Sequence, residues 1–420
     1  RKGSMTPAIS TNRLQNIFSR YQDNTQKTGV IFENDSYEQE TKLRYQTLHY
    51  LDQWKLATGT NIQYSDYFND TQSILYNIKY STGINFIKYG FFAKGERKFF
   101  DDNLGLSFGF RLDSDTFSEG SSLMDNFSPR LSLTYNLTED QTWKMNASVG
   151  RYYKIPTYTM LGYQDNLRTF INQKAKYTQS DHFVMGIEYA PGNASRVTLE
   201  GFYKKYSQYP ISLMDGVSIA NKGGDFEVLG NEAIATDGRG KSYGIEALYQ
   251  QKLTKNFYGV FAYTYFYSKF TEATGDYLPS VWDSRHLISF SGGYKLKRNW
   301  EISARWRFSG KTPYVPVNQN ATLLAYPEVV LDYDQLGNVK LDPFNLADIR
   351  FDKKWNFKRY SFNFYFEIQN FLAQAVPIPD EYGLNRSETG ALILPQSLVK
   401  VNTDENTNIP IPTFGIVVDF

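Results

Sequence analysis

Along much of the chain, apolar and polar residues take turns. In YSFNFYFEIQN, Tyr360, Phe362, Phe364, Phe366 and Ile368 fall on one side of an extended strand, and Ser361, Asn363, Tyr365, Glu367 and Gln369 on the other. WEISARWRFSG sorts Trp300, Ile302, Ala304, Trp306 and Phe308 against Glu301, Ser303, Arg305, Arg307 and Ser309. LGLSFGFRL, HFVMGIEY and YGIEALYQ repeat the pattern, and the final IPTFGIVVDF aligns Phe414, Ile416, Val418 and Phe420 on one face. Each such segment is a ribbon with one greasy side.

This alternation predicts strands over roughly 40–50, 53–66, 82–97, 102–114, 126–137, 141–153, 176–190, 194–209, 240–253, 255–270, 283–296, 298–311, 344–357, 359–373 and 409–420. These are about fifteen segments, with a weaker one at 12–21. Their connections alternate in length. Tight turns fall at Thr138 to Gln141, Pro191 to Ala194, Leu253 to Asn256, Leu296 to Asn299 and near Lys358, whereas long polar connections run over 154–175, 210–239, 271–282, 312–343 and 374–408.

A soluble sandwich or propeller also alternates. Many of these strands, however, exceed the five or six residues usual in soluble sheets, and Tyr360, Tyr243 and Trp300 lie near strand ends, where an interfacial girdle wants them. The expected fold is all-β: a transmembrane antiparallel β-barrel of the outer-membrane type, occupying residues 1–420. Short turns then belong to the periplasm and long loops to the outside, so the last strand ends in the periplasm.

Composition narrows the solvent of the greasy faces. Aromatic residues make up 17% of the chain, with 33 Tyr, 31 Phe and 6 Trp, although the mean hydropathy is only -0.50. Soluble domains bury their aromatics in cores dominated by aliphatic residues, which this pattern does not resemble. The net charge of +1 argues against a nucleic-acid surface. The absence of cysteine removes disulfides, thiolate metal sites and cysteine nucleophiles. No apolar run of about eighteen residues occurs, which excludes a transmembrane helix but not transmembrane strands.

Three longer stretches carry a family resemblance: NFSPRLSLTYNLTEDQTWKMNASVGRYYKIPTYTMLGY, GKSYGIEALYQQKLTKNFYGVFAYTYFYSKF and SRHLISFSGGYKLKRNWEISARWRFSGKTPYVPVN. Together they resemble the barrel of TonB-dependent outer-membrane receptors, in the style of Bacteroidetes members. The terminal FGIVVDF resembles the signal read by the barrel-assembly machinery, which assigns that role to Phe414, Ile416, Val418 and Phe420. The resemblance implies a 22-strand barrel with an N-terminal plug, importing a scarce nutrient with energy relayed by the TonB complex. This sequence contains no plug-like segment or TonB box, and its strands fall short by six or seven. It therefore reads as the C-terminal part of such a barrel, the alternative being a self-closed porin of about sixteen strands.

Candidate chemistry is sparse. His49, His182 and His286 lie on different predicted strands without triad-like neighbours, so an enzyme is not expected. Asp332, Asp334, Asn338 and Asp342 lack the spacing of a calcium loop and read as solvated acids. No cofactor or metal is called for. A ligand would meet the long loops, where Tyr152, Tyr153, Tyr158, Tyr163, Arg168 and Trp282 offer stacking and guanidinium groups. Glu188 and Glu246 face the lumen with Arg305, Arg307 and Arg350, as mutual ion pairs or plug contacts. The expected partners are membrane lipid, the TonB complex through a plug, the assembly machinery and a small or oligomeric ligand; a surface lipoprotein is a further possibility.

Overall fold

The computed structural model describes all residues except 1–2, 24–25, 74–77, 223–230, 326–328, 386, 388–392 and 402–407. Its strands are β1 (Gly3–Asp23), β2 (Thr28–Leu51), β3 (Trp54–Ser73), β4 (Ile78–Phe99), β5 (Leu104–Asp115), β6 (Ser128–Asn136), β7 (Trp143–Lys154), β8 (Thr178–Tyr189), β9 (Ser195–Ser212), β10 (Ile234–Thr254), β11 (Phe257–Thr271), β12 (Tyr277–Pro279), β13 (His286–Lys295), β14 (Trp300–Ser309), β15 (Phe344–Asn356), β16 (Ser361–Gln369), β17 (Tyr382–Leu384), β18 (Leu398–Lys400) and β19 (Ile411–Asp419). A 17-stranded antiparallel sheet holds all but β17 and β18, which pair with each other. In it β12 is a three-residue flap on the end of β11. The other strands pair with their neighbours in chain order, from β1 on β2 to β16 on β19. The weaker segment at 12–21 is the heart of β1.

Register carries the alternation from strand to strand without a slip of face. Ile9 opposes Leu43, which opposes Ile62, which opposes Tyr89. Further on, Leu131 opposes Val149, then Phe183, then Tyr203, then Tyr243, then Tyr267. At the far end Trp306 opposes Phe290, and Phe364 opposes Ile416. Most of these side chains are exposed: Ile62 to 48%, Met185 to 59% and Ile245 to 53%. So wide an apolar band is untenable in water. In hydrocarbon, each side chain's burial is worth about 1.5–3 kcal/mol. The opposite face therefore lines the lumen.

The two rims differ. At one, β2–β3, β4–β5, β6–β7, β8–β9, β10–β11, β13–β14 and β15–β16 are joined by short turns, several with a residue of left-handed φ such as Asp52 (55°), Lys255 (56°) and Arg298 (61°). That backbone matches the twist of the strands it connects. At the other rim β1–β2 and β3–β4 are joined over four residues each, whereas the connections from β5 onward are long and hold α1 (Tyr158–Leu161) and α2 (Gln319–Ala325). β1 to β4 run 20 to 24 residues, about twice what the membrane requires, so they stand well above it on the loop side.

Candidate functional site

At the long-loop rim, the connections after β5, β7, β9 and β11 form one stitched layer rather than a set of free loops. Between β7 and β8, the sequence KIPTYTMLGY first turns the chain inward. Pro156 holds Ile155 extended, α1 follows from Thr157, and Gly162 ends it. A Cβ at Gly162 would lie 3.0 Å from both the Tyr158 carbonyl oxygen and the Tyr67 ring, so a larger residue would push the loop a few tenths of an ångström off β3. The Gly162 carbonyl accepts hydrogen bonds from the Thr82 hydroxyl (2.6 Å) and the Tyr80 hydroxyl (3.2 Å), both on β4.

Tyr158 is the centre of this anchor. It is 5% exposed and packs with Tyr67, Ile84, Phe86, Leu161 and Ala175, against Phe117, Ile155, Phe170 and Ile234. Its hydroxyl donates to Glu40 at 2.6 Å, lies 3.0 Å from the Ser65 hydroxyl, and accepts from Lys88 and from the Gln63 amide (3.4 Å). Lys88 in turn bonds Glu40 at 3.2 Å. Burial first, then the Glu40 carboxylate, pushes the phenol well above its ordinary range. Tyr158 therefore stays a neutral donor.

Further bonds tie this loop to its neighbours. The Asn172 amide donates to the Met160 carbonyl (2.8 Å) and to the Glu232 carbonyl (2.7 Å), and accepts from the Ile234 amide (3.0 Å). Tyr177 donates to Asp115 at 2.8 Å, its own phenol raised by burial and by that carboxylate. Asp115 also accepts from the Phe117 and Ser118 amides. In the next loop Lys222 bridges Asp215 and Glu232 (2.7 Å to the latter), and the Ala273 amide reaches the Gly216 carbonyl at 2.8 Å. Four loops thus share one hydrogen-bonded framework.

The candidate ligand residues do not form one cluster. Tyr158 belongs to the interior of the loop layer, so its ring presents no free face; that corrects its expected place on the loop surface. Tyr163 stacks beside Tyr80, with ring centroids 6.4 Å apart. Arg168 is exposed at a turn with φ 61°, its amide bonding the Asp165 carbonyl. Trp282 is 63% exposed on a separate connection. Tyr152 and Tyr153 lie within β7, not above it, and take opposite faces. Tyr153 donates to Gln179 at 3.1 Å on the outer side. Tyr152 lies on the lumen side, beside His182 (4.6 Å between centroids) and under the Arg130 guanidinium (4.3 Å).

The expected lumenal ion pairs form differently. Glu188 meets Arg196 at 3.9 Å, not an arginine of β14 or β15. Arg350 chelates Asp352, two residues along its own strand, and reaches Glu367 at 3.8 Å. Arg111 does the same with Asp113. Same-face neighbours two apart are simply nearer than residues across the lumen. Glu246, Arg305 and Arg307 lie on the face opposite the apolar band, paired in register with Thr264, Ser291 and Ser289, and make no ion pair among the described residues. On β8 the His182 ring lies 2.7 Å from the Ser180 hydroxyl, but Asp181 points to the other face and is held by Arg151 at 2.7 Å. Alternation itself keeps a Ser–His–Asp arrangement from assembling there.

A lipid-facing apolar band, a polar lumen, short turns at one rim and an ordered loop layer at the other define an outer-membrane β-barrel protein of the Gram-negative envelope. The chain belongs to the TonB-dependent receptor-like β-barrel family, whose pattern it matches over residues 6–371. Among solved structures, it resembles the pyoverdine receptor FpvA of Pseudomonas aeruginosa PAO1 (12% identity, TM-score 0.66, covering 100% of this chain and 59% of that one). It also resembles the copper transporter OprC (14%, 0.64, 99% and 62%) and the ferric yersiniabactin uptake receptor FyuA of Yersinia pestis (11%, 0.63, 99% and 58%). At such identities the likeness is one of fold. The chain spans a little over half the length of these proteins. No curated protein sequence matches it.

Proposed function

We propose that the protein is the barrel of an active importer, which takes a scarce nutrient at its extracellular face and moves it inward with energy relayed by TonB. The observation that carries this reading is the loop layer drawn down onto the lumen wall, with Tyr158 fastened to Glu40, Ser65 and Lys88. A receptor needs a shaped surface over its lumen to hold a ligand, and an ordered loop layer supplies one. The structural relatives are named as a pyoverdine receptor, a ferric yersiniabactin uptake receptor and a copper transporter, so a metal chelate is the first cargo class to test. On this reading, the exposed Arg168 and Trp282, with the half-buried Tyr163, are the contacts available to the ligand from above. Glu246, Arg305 and Arg307 face a plug contributed by the rest of the protein, and β19, ending at Phe420, engages the assembly machinery.

The experiment is accumulation of labelled ferric chelates, cobalamin and oligosaccharides by cells with and without the gene, each in the presence and absence of TonB. Uptake of one class that needs both is the expected result. Solute entry that needs the barrel but not TonB would replace this reading with the porin.

A further inference from the structure

Below the loop layer, the lumen wall carries a row of basic side chains that no assigned role uses. Lys94 on β4 opposes Gly109 on β5, which opposes Arg130 on β6, which opposes Gly150 on β7, which opposes His182 on β8, which opposes Lys204 on β9. All six positions are on the inward face, in one register row that climbs the wall with the tilt of the strands. Strands lie about 4.8 Å apart, so Lys94, Arg130 and His182 recur at intervals of about 10 Å, with glycine between them.

The glycines leave the wall hollow. A cavity of about 380 Å³ opens there, lined on its polar side by Arg44, Lys94, Arg111 and Arg130, and by the Phe92 and Tyr152 rings. Tyr152 folds back over Gly150, where a Cβ would lie 3.1 Å from its hydroxyl, and so forms the floor under Arg130. Arg111 is held in place by Asp113 and by Asn61 at 2.8 Å, and Lys94 by Glu96. Arg44 bonds the neutral Gln46 at 2.8 Å, and Lys204 rests over the Phe202 ring at 5.1 Å. Among the described residues, Arg44, Arg130 and Lys204 have no carboxylate within ion-pair distance. Within the cavity, Arg44 and Arg130 are thus the two guanidinium groups without a carboxylate partner among the described residues, and converging cations of that kind attract anions.

We infer that this cavity is a binding site for a compact polyanion bearing carboxylate or phosphate groups, and that the imported cargo is anionic. The inference deepens the importer reading and rests on it for its meaning, though not for its test. Arg130 and Arg44 supply planar guanidinium forks suited to paired oxygen atoms. Tyr152 and Phe92 give the carbon skeleton an apolar wall.

The test is titration of the purified full-length protein in detergent with pyrophosphate and with tricarballylate, followed by calorimetry, with sucrose as the neutral control. Saturable binding of either anion but not sucrose is expected, weakened at least tenfold by Arg130→Gln and by Arg44→Gln, and unchanged by Lys144→Gln outside the cavity. The two variants attack the site from different strands, so misfolding of one leaves the other to decide. Binding of neither anion, as when an acidic segment of the same protein fills the cavity, overturns the inference. So does anion binding that both variants retain. TonB-dependent uptake without anion binding would sink only this inference, and anion binding without such uptake would sink only the importer.

Discussion

The hydroxyl of Tyr158 donates a 2.6 Å hydrogen bond to Glu40, a residue 118 positions earlier in the chain. Tyr158→Phe keeps the ring in its core and strands Glu40 and Lys88 without their shared partner. Loss of such a buried, charge-assisted bond costs about 1–3 kcal/mol. Amide exchange across residues 155–177 should accelerate about tenfold or more while the strands keep their protection. Unchanged exchange in that loop would show that packing alone holds it.

The continuous outer face sets a sharp positional contrast on β10. Ile245→Arg places a guanidinium against hydrocarbon at a cost of about 2–4 kcal/mol near the midplane, whereas Glu246→Arg, one residue on, meets lumen water. Folding into liposomes, scored by heat-modifiable gel migration, should fail or slow for the first variant only. Equal behaviour would mean that the faces are assigned the wrong way round.

Two glycines one strand apart should respond differently to a single methyl group. At Gly244 a Cβ would collide with the Tyr265 carbonyl oxygen and reach within 2.7 Å of the Phe266 Cβ, whereas at Gly201 the nearest atom is 4.0 Å away. Gly244→Ala is expected to destabilise the barrel by about 1–3 kcal/mol. Gly201→Ala should leave the denaturant midpoint unchanged.

In the turn between β6 and β7, hydrogen bonds from the Thr138 and Thr142 hydroxyls, and then the Thr142 amide, hold the Asp140 carboxyl down at about 2. A carboxyl depressed on folding contributes order that is complete above its ordinary range, near 3.9, and is lost as pH falls through the lowered value. Exchange at the Thr142 amide should rise between about pH 4 and pH 2. Asp140→Asn should flatten that profile, and an unaltered profile would remove Asp140 as its cause.

β19 ends beside a fully exposed Phe420. If its side chain is read during assembly, deleting it should slow membrane insertion in cells while leaving spontaneous folding into detergent micelles intact. Normal insertion of the truncated protein would dissociate Phe420 from assembly.

The membrane-embedded part of this fold was legible because lipid enforces a period of two. Every expected segment, the weak one at 12–21 included, corresponds to a strand of the sheet. The places where the reading fell short have a common cause. β2 begins at Thr28 rather than near residue 40, because the added stretch, including Asn34, Ser36 and Glu38, stands above the membrane, where neither face needs to be apolar. The ion pairs were misassigned because facing the lumen says nothing about which neighbour is nearest, although the R-x-D spacing at Arg111–Asp113 and Arg350–Asp352 was a usable signal. Tyr158 looked like a ligand contact because sequence does not show a loop folding back 118 residues onto Glu40. The row from Lys94 to Lys204 was invisible for a similar reason, since its members come together only through five successive registers.

Strand register of this kind also governs how the sequence is free to drift. One inserted residue within β10 would turn Ile245 toward water and Glu246 toward lipid, and would shift every pairing with β9 and β11. A residue added at the long-loop rim disturbs no register. Kin of this barrel should therefore differ in length almost wholly on the side that meets the outside world, so that new specificities arise by insertion at one rim while the wall changes only by substitution.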